Sequence, residues 1–217
     1  MVFPNNIRNT RLSTIAEKVL SNVPVSKEDA LYMLKTNDIL DLGTIADHIR
    51  TRLHGNIAYY GVNINLNYTN ICELRCPLCA YSCDEGDENA FLLSIEDIEK
   101  RMRNAVSMGI DEVHIVGGLY PKLTIDYFEN MLRIIKGIKP DIHVVAFTAV
   151  EYDYFAKTNN IPLEDVFRRL MDAGVEALPG GGAEIFSPHV RDIIAPKKIS
   201  GKKWLSVMRT AHKMGLK

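Results

Sequence analysis

The chain has 217 residues, 47% hydrophobic and 24% charged, with 26 Lys plus Arg against 27 Asp plus Glu. That length suits one sizeable core with a small appendage, and the near-neutral balance lacks the basic surface that nucleic acid or an anionic membrane requires. No apolar run reaches the roughly 20 residues that cross a bilayer, and Met1-Val2-Phe3-Pro4-Asn5-Asn6 lacks the apolar core of a secretory leader, so the expectation is a cytoplasmic protein.

Residues 11–54 read as helical. Leu12, Ile15, Ala16, Val19 and Leu20 recur at helical spacing. Ser26 and Asp29 make a capping-box pattern, with Asp in the Glu position, that opens a short helix through Leu31 and Leu34. Ile39, Leu42, Ile45, Ala46, Ile49 and Leu53 form a third apolar stripe, which Gly55 ends. From residue 58 the character changes. Tyr59 to Leu66 is rich in aromatic and β-branched residues and reads as a strand. The acidic run Asp84 to Glu88 reads as a solvated loop. Ser94-Ile95-Glu96-Asp97 caps a helix through Met108, and Val113 to Val116 is a short buried strand. Thr124 to Ile138 is helical, and His143 to Thr148 is a strand. Pro162 opens a helix through Met171 that Gly174 stops. Val175 to Leu178 is a fourth strand, and Lys202 to Met214 is the helix after it.

Strand and helix thus alternate four times. The last three strands begin about 32 residues apart, the length of a βαβ step, which predicts parallel strands with right-handed crossovers. The expected fold is α/β. A helical extension occupies 1–56, and the first four βα units of a TIM-type parallel barrel occupy 57–217. An open doubly wound sheet fits the alternation almost as well.

All four cysteines lie between positions 72 and 83, a tight cluster that reads as a metal site rather than a disulfide framework. Cys72, Cys76 and Cys79 are spaced C-x3-C-x2-C. Thiolates hold the irons of iron–sulfur clusters, and three of them leave one iron of a [4Fe–4S] cluster open. Structural zinc with Cys83 as fourth ligand is a second reading, and a closed four-cysteine electron-transfer cluster is a third. Gly117-Gly118 follows a strand, where glycine lets a backbone approach a ligand, or simply turns the chain. In Ala146-Phe147-Thr148-Ala149-Val150-Glu151, Thr148 and Glu151 face a polar ligand, or Glu151 is merely solvated. Pro179-Gly180-Gly181-Gly182-Ala183-Glu184 gives backbone N–H groups room to meet a carboxylate or ribose. Glu184 and Arg191 are candidate contacts there, or members of a structural ion pair. His114, His143 and His212 read as packed or surface residues. All four motifs follow the C-terminal ends of strands, where α/β sheets bind ligands, and that convergence favours the open cluster.

On these residues the chain resembles the radical S-adenosylmethionine (SAM) superfamily, in which the open iron chelates the amino and carboxylate groups of SAM. Leu78 stands where that superfamily usually has an aromatic residue. The stretch Asn67-Tyr68-Thr69-Asn70-Ile71-Cys72 through Cys79-Ala80-Tyr81 is similar to a group containing aminofutalosine synthase, dehypoxanthine futalosine cyclase and the deazaflavin (FO) synthases. Residues 146–151 and 178–186 are most similar to the first of these. The resemblance implies a [4Fe–4S] cluster on Cys72, Cys76 and Cys79, and SAM as a consumed co-substrate. It implies SAM contacts at Tyr81, Gly117 and Gly118, further contacts at Thr148 and Gly181, and catalytic carboxylates at Glu151 and Glu184. It also implies a small-molecule substrate and an electron donor such as flavodoxin or ferredoxin. In the implied reaction, the 5′-deoxyadenosyl radical adds to the enol-ether double bond of 3-[(1-carboxyvinyl)oxy]benzoate. Rearrangement and loss of the carboxylate carbon give 6-amino-6-deoxyfutalosine, on the futalosine route to menaquinone. Tyr120 and Asn65 stand where the family usually has His, which bears on the substrate contacts. The family is considerably longer, so a chain truncated before its fifth strand, with an unpaired edge on the fourth, is expected.

Overall fold

The structure, a computed structural model, describes residues 7–217; residues 1–6, read above for a leader, lie outside the described residues. The chain divides into two compact units, with the boundary between Tyr60 and Gly61.

The first unit is three helices: α1 (Thr10–Leu20), α2 (Lys27–Lys35) and α3 (Ile39–His54). Asn9 caps α1 by accepting from the Leu12 N–H. The Ser26–Asp29 capping box of α2 forms as the sequence requires. Asp29 is buried and does a second job, accepting from Lys18 Nζ at 2.5 Å and pairing with Arg11 at 3.2 Å. The Lys18 hydrogen bond, then the Ser26 backbone N–H, hold its carboxyl down at about 2. Leu12, Ile15, Ala16 and Ile45 form a small core, with Val19, Tyr32, Met33, Leu42 and Ile49 packed on it. The stripe expected on α3 is buried only in its middle, because Ile39 and Leu53 are exposed.

The second unit is α/β. It runs β1 (Asn63–Leu66), α4 (Ile95–Ser107), β2 (Glu112–Ile115), α5 (Ile125–Ile138), β3 (His143–Ala146), α6 (Ala149–Thr158), α7 (Leu163–Ala173), α8 (Pro188–Ile194) and α9 (Gly201–Lys213). The sheet has order β1-β2-β3, all parallel. Parallel strands need crossover helices, and α4 and α5 supply them with strongly apolar inner faces: Ile98, Met102 and Ala105 on α4, and Phe128, Met131, Leu132 and Ile135 on α5. These pack on Leu66, Val113, Ile115, Val144 and Ala146. Rings of Tyr68, Phe128, Phe147 and Phe155 meet edge-on or tilted at the C-terminal ends of the strands.

Three expectations are corrected. The strand expected from Tyr59 begins at Asn63, and Tyr59 and Tyr60 are exposed. The strand expected to run to Thr148 stops at Ala146, because Phe147 turns to φ +63° and Thr148 caps a helix, α6, that the spacing did not reveal. The fourth strand is reduced to a single parallel bridge between Val145 and Ala177. On its other side the Leu178 N–H donates to the Lys217 carbonyl at 3.1 Å. Among the described residues no helix is long and apolar enough to cross a membrane.

Candidate functional site

A cavity of about 230 Å³ lies at the C-terminal ends of the three strands. Cys72, Cys76 and Cys79 line it, with Tyr81 and Ser82 from the same loop, Gly117 and Gly118 after β2, Thr148 and Glu151 from the start of α6, and Gly182 and Lys198 from the last third of the chain. Four segments far apart in sequence therefore reach one space.

Backbone hydrogen bonds stitch the cysteine loop to its neighbours. The Glu73 N–H donates to the Leu119 carbonyl at 3.0 Å, and the Gly118 N–H to the Thr69 carbonyl at 2.9 Å. The Asn70 amide holds the return segment, donating to the Asn89 carbonyl and accepting from the Phe91 N–H. Cys83 does not line the cavity. It forms a parallel bridge with Ile71, its N–H donates to the Asn70 carbonyl at 3.0 Å, and burial pushes its thiol up.

The thiols sit in unequal fields. Burial raises that of Cys76, opposed by Lys198. Burial also pushes on Cys79, but hydrogen bonds from the Tyr81 and Ser82 backbone and the charge of Lys198 outweigh it, so that thiol is lowered. Lowering favours the thiolate, the form that ligates metal. Among the described residues, no three His, Cys, Asp or Glu side chains close around a single ion. Three thiols lining one cavity are the donor type that an iron–sulfur cluster takes. Lys198 drew no attention in the sequence. It follows Pro196 and Lys197 as one of two adjacent lysines, and only the fold puts it beside the cysteines.

Glu151 is neither solvated nor free to meet a ligand. It is buried, and both of its oxygens are used by the protein. Oε1 accepts from the Tyr68 hydroxyl at 2.9 Å and the Gly117 N–H at 3.0 Å. Oε2 accepts from the Thr148 N–H at 2.7 Å and Oγ1 at 2.8 Å. Burial raises its carboxyl, and the Thr148, Tyr68 and Gly117 donors oppose that rise. The carboxylate thus joins the ends of β1, β2 and β3. Tyr68, which no sequence motif marks as a site residue, completes the joint: its ring lies where a Cβ on Gly117 would come within 2.5 Å.

The glycine-rich loop after residue 178 is arranged differently from expectation. Gly182, at φ +84°, lines the cavity; Gly181 does not, and its carbonyl accepts from Trp204 Nε1 at 3.0 Å. Glu184 pairs with Lys198 at 2.5 Å. Arg191 is buried and makes no ion pair in the described structure. Its guanidinium donates to the carbonyls of Ala183, Ile185 (3.0 Å) and Ile199 (2.5 Å), holding the loop from behind. Tyr120 is turned from the cavity, its hydroxyl donating to Glu85 at 2.6 Å, so the acidic run is anchored at that residue rather than wholly solvated. Leu78 is half-exposed and does not line the cavity.

Residues 66–217 match the family model of the radical SAM superfamily. The chain is 37% identical over 210 residues to an aminodeoxyfutalosine synthase of Thermus thermophilus, covering 97% of this chain and 56% of that protein. It is 36% identical over 213 residues to a 5-amino-6-(D-ribitylamino)uracil–L-tyrosine 4-hydroxyphenyl transferase of Microcystis aeruginosa, covering 94% of this chain and 56% of that one. The chain thus spans about half the length of the curated relatives it matches. Among solved structures, methylornithine synthase superposes with a TM-score of 0.72 at 16% identity, over 93% of this chain and 56% of that one, a likeness of fold.

Proposed function

The chain belongs to the radical SAM superfamily, and from that premise we propose that it carries the cluster-bearing half of an aminofutalosine synthase. Membership brings a [4Fe–4S] cluster and SAM. When bound, the cluster supplies the electron that splits SAM into methionine and the 5′-deoxyadenosyl radical. The observation that supports the reading most is the convergence of Cys72, Cys76 and Cys79 with the Gly117-Gly118 backbone on one cavity.

In this reading the three cysteines ligate the cluster, and Cys83 stays in its backbone bridge. Lys198 offsets the negative charge gathered by the thiolates. Tyr81, Gly117, Gly118, Thr148 and Gly182 border the SAM site. Glu151 acts as a positioning residue, fixing Gly117 through its N–H, because its oxygens have no hydrogen-bonding capacity left for a ligand. Glu184 acts through Lys198. The substrate is 3-[(1-carboxyvinyl)oxy]benzoate, its product is 6-amino-6-deoxyfutalosine for menaquinone biosynthesis, and a small reductant such as flavodoxin or ferredoxin supplies the electron. The motifs at 146–151 and 178–186 and the Thermus relative support this substrate.

The second reading, a deazaflavin-type synthase, has the Microcystis relative behind it; the futalosine cyclase is a third. The test is anaerobic reconstitution with iron and sulfide, then reductant, SAM and, in separate reactions, the benzoate enol ether or the ribitylaminouracil with tyrosine. Mass analysis of the adenosine-derived product separates the readings. SAM left uncleaved, with metal retained only while Cys83 is intact, would instead identify a zinc or electron-transfer module.

A further inference from the structure

The strands carry different chemistry on their two faces. One face, with Leu66, Val113, Ile115, Val144 and Ala146, is buried in the core under the helices. The parallel register sets two rows on the other face: Asn63, Glu112 and His143, then Asn65, His114 and Val145. Successive strand residues alternate faces, so the next positions along this face are Asn67 and Val116, and both line the cavity with the cysteines. The Asn65–His114 row therefore lies one layer beneath that cavity, about 7 Å back along the strands.

The inward face of a (β/α) barrel is ordinarily filled by layers of Val, Ile and Leu. Here it is polar. The lower row satisfies itself, with His143 Nδ1 2.8 Å from Glu112 Oε2. The upper row does not: among the described residues, His114 Nε2 is buried without a hydrogen-bond partner. A buried ring nitrogen left unpaired is costly, and such a group in a native structure calls for a partner such as a water, an ion or a ligand atom. The neighbouring Asn65 amide can both donate and accept.

We propose that Asn65 and His114 form the subsite that hydrogen-bonds an oxygen-bearing end of the organic substrate, beneath the SAM cavity. The inference rests on reading that cavity as the SAM site. The shared chemistry is an sp² oxygen, which a benzoate carboxylate and a uracil carbonyl both offer. The pair recognises it through side-chain N–H donors, so it sets orientation and specificity.

The test is equilibrium titration of the reconstituted protein, cluster oxidised and SAM bound so that no turnover occurs. The benzoate enol ether and 5-amino-6-(D-ribitylamino)uracil are the two arms, each with wild type, His114→Leu, Asn65→Leu and His114→Gln. For whichever compound the wild type binds, each leucine variant is expected to lose roughly tenfold in affinity, and His114→Gln to regain most of it. Iron content and SAM affinity report separately on folding of the site. Leucine variants that bind the organic compound as tightly as wild type overturn the subsite and leave the proposed function standing. Leucine variants that lose SAM affinity in the same proportion assign the row a structural role and overturn it too. A wild type that binds neither compound overturns the proposed function, and the subsite with it.

Discussion

Two glycine loops border the cavity and are held by opposite means. Gly117-Gly118 is crowded by its neighbours. A Cβ on Gly117 would strike the Tyr68 ring, one on Gly118 would strike the Ile71 carbonyl, and both N–H groups are committed, to Glu151 and Thr69. Neither residue has positive φ, so glycine is needed there for space and not for conformation. The 180–184 loop is instead suspended from side chains that follow it, Arg191 and Trp204. A Cβ on Gly180 would meet nothing within 4 Å, whereas Gly182 combines a positive φ with a Cβ position only 2.4 Å from Val150 Cγ2. The three-glycine run is the louder signal in the sequence, yet the quieter pair has both residues on the cavity. Close approach to a ligand is marked by what crowds the backbone more than by how many glycines there are.

Breaking the first loop has the largest expected effect. Gly118→Ala puts a methyl group against backbone that cannot swing aside, and a loss of about 3 kcal/mol or more is expected from overpacking. Gly180→Ala, in open space, stays within about 0.5 kcal/mol of wild type. Urea denaturation of both variants checks the contrast, and equal losses would erase it. Next comes Glu151→Gln. The amide keeps the shape but turns an NH2 toward N–H or O–H donors, so two of four hydrogen bonds are lost in a buried site. A loss of about 2–3 kcal/mol is expected, with SAM affinity falling alongside because Gly117 is released.

Arg191→Met acts on the suspended loop. It retains much of the apolar stem and leaves several carbonyls without their donor, a cost of about 1–3 kcal/mol. Because the loop hangs from this side chain, the loss is expected to be local. Hydrogen exchange should speed up across 181–187 while the Gly117 and Gly118 amides stay protected. Loss of protection at both loops would show that they form one cooperative unit.

What was legible in the sequence follows how local its cause is. The Ser26–Asp29 and Ser94–Asp97 capping boxes are determined within four residues, and both form. The parallel order of β1 to β3 follows from repeat length and apolar helices. The cysteine spacing placed three thiols on one cavity, and Gly117 and Gly118 beside them. Apart from one local case, failures came where a distant residue decides. Thr148-Ala149-Val150-Glu151 is itself a capping box, but its β-branched lead-in from Val144 and Val145 hid the helix start. The burial of Glu151 depends on Tyr68, 83 positions away. Val175 to Leu178 has strand-like residues, but it pairs with β3 through a single bridge and adds one backbone bond from Leu178 to Lys217 on its other side. Lys198 reaches the cysteines only through the turn after α8, which no period announces.

The smallest effect, that of Trp204→Phe, sharpens the comparison best when set beside Tyr68→Phe, because each variant removes one donor from its loop's support with little change of shape. Trp204→Phe deletes the N–H that meets the Gly181 carbonyl at 3.0 Å, while a ring can still pack edge-on against Phe186. That carbonyl is near solvent, and water can replace the lost donor, so a cost of about 0.5 kcal/mol is expected from the hydrogen bond. Tyr68→Phe deletes the hydroxyl that donates to Glu151 at 2.9 Å in a fully buried site. No water can substitute there, and the carboxylate keeps its charge with one donor fewer, so about 1.5–3 kcal/mol is expected. The chain has a single tryptophan, so far-UV circular dichroism, which does not depend on it, is the common probe for both variants. A ratio near one between the two losses would mean that the loops differ in geometry alone. A several-fold ratio would mean that burial, more than the number of bonds, makes one loop rigid and leaves the other free to adjust.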